Sequence, residues 1–210
     1  MYRKKEFNLD SSYNSHLYTG IIGVFMRYCH RKLEKFKSDA VYSKVLEIGA
    51  GTAPHLPYIK HQFEDYYVAE TSDFAINHLK NAGIENLVKY EGVKLPFENL
   101  FFDRIIISHV LEHINNPEEF LIEMMRTLKR GGVLSISLPT DPGLLWRSSR
   151  NMIKLFVLNR TQKLSNIEYD YINSTEHINS IFNLRNIIKY HYRNNIQETF
   201  LPFRIRLPDI

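Results

Sequence analysis

The chain has 210 residues, 44% of them hydrophobic and 24% charged, a composition that excludes a disordered polypeptide and suits one domain with a single core. Its 27 Lys+Arg outnumber 23 Asp+Glu for a net charge of +4, but the basic residues are scattered among acidic ones, so charge alone names no nucleic-acid or membrane partner. A single cysteine, Cys29, excludes an internal disulfide and leaves no thiolate cluster for zinc.

Met1 to Leu9 is polar, without the apolar stretch of a signal peptide, and no apolar run approaches the roughly 20 residues of a membrane span; the expectation is a soluble, cytoplasmic protein. Residues 13–37 are expected to form an N-terminal cap helix, with Leu17, Ile21, Val24, Phe25, Tyr28 and Leu33 on one face. Short runs rich in β-branched or aromatic residues follow at Val45–Ala50, Tyr66–Glu70, Leu87–Tyr90, Arg104–His109 and Val133–Leu138, each separated by room for a helix. This spacing predicts right-handed crossovers and an α/β, doubly wound, mostly parallel sheet. Pro117-Glu118-Glu119 opens a helix before the fifth strand, and Lys129, Arg130 and Gly131-Gly132 are expected to close it.

After that strand, Leu144 to Leu158 reads as an apolar helix bearing Arg147, Arg150 and Lys154. Such a segment fits a membrane surface or a lipid-linked acceptor, and equally the burial of its apolar face, which is favoured. Ile196–Phe200 and Phe203–Leu207 read as closing strands that Pro202 and Pro208 keep short, leaving an incomplete last hairpin. The whole is expected to be one domain over 1–210: cap helix 13–37, core 41–140, acceptor-side region 141–195 and closing strands 196–207.

Chemistry concentrates where the strands end. Val45-Leu46-Glu47-Ile48-Gly49-Ala50-Gly51 reads as a buried strand running into a glycine turn, where missing Cβ atoms let a ligand lie against the main chain. Glu47 is placed to receive a cationic amino group or to brace the loop. Glu70 ends the second strand about twenty residues on, where nucleotide-binding sheets place an acid for the ribose hydroxyls. Further along stand Glu91-Gly92, Leu95-Pro96-Phe97, Phe102-Asp103, and Ser108-His109-Val110-Leu111-Glu112-His113. His109 and His113 are four apart with Glu112 between, yet H-V-L-E-H is not the H-E-x-x-H of zinc proteases and follows a strand, so no metal is expected.

In this order, over residues 41–140, E-x-G-x-G, the strand-end acid, L-P-F, F-D, L-E-H and L-K-R-G-G resemble the class I S-adenosylmethionine-dependent methyltransferases. That resemblance implies the Rossmann-like, seven-stranded-type methyltransferase fold, S-adenosylmethionine as cofactor, and cofactor contacts at Glu47, Gly49, Ala50, Gly51, Glu70, Thr71, Glu91, Gly92, Ser108 and His109. Glu91 takes the position that accepts the adenine amine. Ala53 and Pro54 depart from a dinucleotide G-x-G-x-x-G and weaken a nicotinamide reading. His109 and His113 are candidate bases. Glu176-His177-Ile178 with Phe182-Asn183-Leu184 resembles the family's E-H-x-x-x-F segment, and by that match His177 borders the acceptor side of the pocket. The expected activity is methyl transfer to a small-molecule or glycan acceptor, O-methylation before N-methylation, with a non-catalytic cofactor-binding scaffold as the rival. Nucleic acid is disfavoured for want of an RNA-binding module.

Overall fold

The computed structural model describes residues 20–34, 40–51, 55–155, 165–193 and 196–201. Five parallel strands, β1 (Val41–Ile48), β2 (Gln62–Glu70), β3 (Asn86–Lys89), β4 (Phe102–Ser108) and β5 (Leu128–Ser137), lie side by side in the order β3-β2-β1-β4-β5. The order reverses between β1 and β4, which opens a crevice beyond their carboxyl ends, the usual ligand position in such sheets. The expected α/β class and parallel sheet are thus present.

Six α-helices lie among the described residues: α1 (Gly20–Leu33), α2 (Asp73–Asn81), α3 (Pro117–Thr127), α4 (Leu144–Ile153), α5 (Asn166–Glu176) and α6 (Ile181–Tyr192). Alternate strand residues divide between two faces. Leu46, Ile48, Ala69, Ile105 and Ile107 pack against Phe120, Leu121 and Met124 of α3 and Leu184 of α6. Val45, Tyr66, Val68 and Ile106 meet Leu79 of α2 and Leu33 of α1 on the other side. Near-continuous apolar runs such as Ile105-Ile106-Ile107 are what a parallel sheet covered on both faces requires. Helix starts follow local chemistry: Ser72 accepts from Ala75 N–H, Asn116 precedes Pro117 and accepts from Glu119 N–H, and Ser165 with Glu168 completes a capping box.

Two expectations need correction, and two others fall partly or wholly outside the described residues. The helix before β5 ends at Thr127 rather than across Lys129–Gly132, because Leu128 is already paired with Phe102 and Phe101 N–H bonds Thr127 O at 2.8 Å. The extra residues are taken up by a register shift between Phe102 and Arg104, with Gly131 at φ +76°. The cap helix starts at Gly20 within the described residues, and residues 13–19 of the expected span lie outside them. Ile196–Phe200 form no strand, and Phe203–Leu207 lie outside the described residues.

Candidate functional site

The glycine turn after β1 is left-handed at both glycines, Gly49 at φ +63° and Gly51 at φ +55°. Gly49 N–H bonds Ala69 O at 2.9 Å, and a Cβ there would stand 2.5 Å from Val110 Cγ2, so the turn abuts the loop after β4. Thr52, Ala53 and Pro54 lie outside the described residues. Glu70 is buried at the tip of β2 and turned onto this turn: Oε2 accepts from Gly51 N–H at 2.8 Å, and Oε1 from Thr71 N–H at 2.7 Å and Ser72 N–H at 3.2 Å. Glu91 and Gly92 follow β3, exposed, with Gly92 at φ +69°. A Cβ on Gly51 or Gly92 would meet no atom of the described residues within 4 Å, so space among them faces the backbone at both. Glycines with open space before them and two carboxylates at neighbouring strand tips fit an adenosyl group with a ribose diol and an exocyclic amine.

Glu47 is held within the sheet. It is 1% exposed and accepts a hydrogen bond from the Tyr66 hydroxyl. Burial pushes its carboxyl up to about 7 against the opposing Tyr66 bond and His55, with Glu70 adding to the rise. Of the two roles expected for Glu47, this geometry resembles the brace.

The loop after β4 carries the histidines. Ser108 is half-buried at the strand end, and His109 turns the chain at φ +57°, a strained backbone for a non-glycine residue. His109 N–H bonds Ser137 O at 3.0 Å, its Nε2 lies 3.4 Å from Ser137 Oγ, and its Nδ1 is 3.6 Å from Glu112 Oε1. Glu112 is 1% exposed and its Oε2 has no hydrogen-bond partner. His113 Nδ1 bonds Glu176 O at 2.9 Å, and its ring meets that of His177 edge-on at 4.9 Å. The structure therefore brings His177 onto His113 from a distant part of the chain, and His113 shares the Glu112 carboxylate with His109, at 3.9 and 3.6 Å.

Sequence reading missed Asp141, whose carboxylate lies 3.0 Å from His177 Nδ1. Its only signal was an acid closely following the fifth strand. It also missed a buried ionic network behind the glycine turn. Arg104, fully buried in β4, forks onto Glu34 through Nη1 at 3.0 Å and Nη2 at 2.6 Å, and its Nε and Nη2 reach Ser135 Oγ at 3.1 Å. His55 Nε2 donates to Glu34 Oε1 at 2.8 Å, and His30 and His55 share a bond between their Nδ1 atoms at 3.0 Å. Burial raises the Glu34 carboxyl, but bonds from His55 and Arg104 outweigh it and bring it to about 2. Burial, then His55 and His109, hold His30 down at about 4, so it is neutral at pH 7.

The cations of α4 are engaged within the chain. Arg150 and Lys154 reach Asp170 of α5 at 3.1 and 2.5 Å, and Arg147 Nε donates to Pro142 O at 2.6 Å. No described helix is long and apolar enough to cross a membrane, and no described group of histidines, cysteines and acids could hold a metal ion.

A family model described as a methyltransferase domain matches residues 46–136. The chain is 30% identical over 107 residues to an uncharacterized protein of Methanocaldococcus jannaschii, covering 51% of this chain and 50% of that one. It is 28% identical over 116 residues to a demethylmenaquinone methyltransferase of Renibacterium salmoninarum, covering 51% and 47%. It thus spans about half the length of these relatives. Among solved structures, a candidate S-adenosyl-L-methionine-dependent methyltransferase of Methanococcus maripaludis shares the fold at a TM-score of 0.58, with 16% identity and coverage of 91% and 88%. A Thermotoga maritima protein described as a SAM-dependent methyltransferase, possible histamine N-methyltransferase, aligns at 0.54 with 20% identity, covering 85% and 78%.

Proposed function

We propose that this chain is a class I S-adenosylmethionine-dependent methyltransferase, a reading supported by the methyltransferase-domain match over residues 46–136, and that it moves a methyl group onto a hydroxyl of a small-molecule or glycan acceptor. The observation that carries the reading is the row of strand tips: Gly49 and Gly51 with Glu70 turned onto them, Glu91-Gly92 beside them, and a histidine-rich loop across the crevice.

When bound, the cofactor supplies a methyl group already activated on a sulfonium, and no metal is needed for that chemistry. The chain's own work is to hold, orient and exclude water. Glu70 fixes the glycine turn through its backbone bonds and keeps acceptor capacity on Oε2, which takes only the Gly51 N–H, for a ribose hydroxyl, and Glu91 takes the adenine amine. Ser108 and His109 line the crevice, with His109 oriented by Ser137 and Glu112. His113 and His177 face the acceptor side, where a neutral imidazole can receive the proton of a hydroxyl. Because Arg150 and Lys154 are paired with Asp170, the acceptor assignment rests on this hydroxyl chemistry and not on attraction to an anionic surface.

Calorimetric titration with S-adenosylmethionine and S-adenosylhomocysteine tests the cofactor step, with Glu70→Gln as the variant. Micromolar binding is expected, weakened at least about tenfold in the variant. Thermal unfolding of both proteins separates lost ligand contacts from a loosened loop. Binding without transfer to any hydroxyl, sugar or amine acceptor would favour the scaffold.

A further inference from the structure

We propose that Asp141 and His177 form the proton-accepting pair of this site: Asp141 holds the Nδ1 proton of His177, leaving Nε2 to take the proton of the acceptor hydroxyl. The proposal rests on the methyl-transfer reading above. It adds a positioning residue, Asp141, that neither motif nor family match assigns.

The geometry is that of an oriented imidazole. His177 Nδ1 lies 3.0 Å from Asp141 Oδ2, and both side chains are largely shielded, 17% and 13% exposed. A carboxylate accepts only, so Nδ1 is the donor and Nε2 is left as the acceptor nitrogen. The ring is held on two sides, by His113 edge-on at 4.9 Å and by Trp146 of α4 at 5.8 Å. Asp141 is fixed in turn, since its carbonyl accepts from Ile181 N–H at 2.8 Å and ties the loop after β5 to the start of α6.

The pair is also anchored to the crevice. Ile178 and Asn179 N–H groups bond Glu112 O at 3.0 and 3.2 Å, and the Asn179 amide donates to Leu111 O at 3.1 Å and Ile114 O at 2.6 Å. These bonds clamp the α5–α6 junction onto the loop that begins at His109, beside the carboxyl ends of β4 and β5. A base placed there needs neither loop to move far to reach a hydroxyl.

Other charged groups face the pair from each neighbouring element: Glu112 and His113 from the loop after β4, Arg150 from α4, and Glu176 at the end of α5. Burial and then His113 lower the His177 imidazole, against Glu112 and Asp141. That direction favours the neutral ring a base requires. In the step itself, the acceptor O–H bond would break toward Nε2 as the oxygen bonds the methyl carbon and the methyl–sulfur bond of the sulfonium breaks, its electron pair staying on sulfur. The resulting imidazolium is stabilised by Asp141 and releases its proton to solvent.

The test is long-range proton–nitrogen NMR of the full-length 15N-labelled protein, with and without S-adenosylhomocysteine, in wild type, Asp141→Asn and Asp141→Glu. His177 is expected at pH 7 as the neutral tautomer protonated on Nδ1. In Asp141→Asn the Nε2-protonated form should rise and the imidazole titrate at lower pH, and Asp141→Glu should restore the wild-type pattern. A wild-type ring protonated on Nε2, or a tautomer and titration indifferent to Asp141→Asn, overturns the pair. Methyl transfer to catechol and methyl glucoside serves as the activity readout: in Asp141→Asn, kcat should fall roughly 10²-fold with KM little changed and the alkaline plateau displaced. Transfer unaffected by Asp141→Asn also overturns the pair. Absence of transfer in wild type bears on the methyl-transfer reading, while the tautomer still decides the pair.

Discussion

Replacing Arg104 by Met removes the cation that a fully buried carboxylate was folded around. Glu34 receives two guanidinium N–H groups at 2.6 and 3.0 Å and one imidazole N–H at 2.8 Å, with no exposed atom to rehydrate. Removing one partner of such a pair costs about 3–5 kcal/mol, because the remaining charge is left buried without compensation. Glu34→Leu should cost a similar amount, since Arg104 would keep only Ser135. The double variant removes both charges and orphans the buried His55 Nε2–H, a penalty of about 1–3 kcal/mol, while the part-buried Lys60 N–H, 3.3 Å from Glu34 Oε2, can turn to water. Urea denaturation followed by circular dichroism measures all four proteins. With a slope of about 2 kcal/mol per molar, each single variant should lower the midpoint by roughly 1.5–2.5 M, and the double variant by less than either. A single-variant loss below about 1 kcal/mol, or losses that simply add in the double, would refute the account of this network.

Three further outcomes follow from the geometry. Glu47 is raised from 4.5 to about 7, so the folded state takes up its proton more readily than the unfolded chain, and that stabilisation disappears as pH climbs from 4.5 through 7. Glu47→Gln should therefore be the more stable protein at pH 8, by roughly 2–3 kcal/mol, with the gain shrinking toward pH 4.5; parallel stability–pH curves would show the carboxyl is not the cause. Gly49→Ala combines a left-handed backbone with a Cβ 2.5 Å from Val110 and should lose roughly 2–4 kcal/mol in thermal or urea unfolding. Gly51→Ala meets no neighbouring atom, should cost only about 1–2 kcal/mol, and should instead weaken S-adenosylhomocysteine binding by calorimetry.

What could be read from the chain beforehand divides by distance along it. The five strands, the glycine turn and the acids at Glu70 and Glu91 are local patterns, and each stands at a strand's carboxyl end in the structure. The pairing of His113 with His177, and of His177 with Asp141, joins residues 36 or more positions apart and leaves no periodic trace. Arg104 was legible only as an oddity, a cation inside F-D-R-I-I-I; its partner Glu34 lies 70 residues earlier at the end of α1, in a stretch that reads as an ordinary charged helix end. Ile196–Phe200 misled because apolar residues at the two ends of a short run suit a strand only when a neighbouring strand offers its free edge. The helix before β5 was extended too far because Gly131-Gly132 is a strong stop signal, whereas pairing to Phe102 had already drawn Leu128 into the sheet.

The 70-residue span from Glu34 to Arg104, with Ser135 a further 31 residues on, also bears on how the molecule is made. During synthesis the carboxylate at the end of α1 leaves the ribosome long before its cation exists. Until β4 and β5 are paired it has only His55 and the Lys60 N–H to bind, and α1 lacks its ionic anchor on the face where it will pack against β5. Loop closure of that length has to be repaid by the contacts it enables, which places the docking of α1 late in assembly. A nascent chain arrested before Ser135 should therefore expose α1 to protease, whereas one carried past β5 should shield it, so the helix serves as a check that the central strands have come into register.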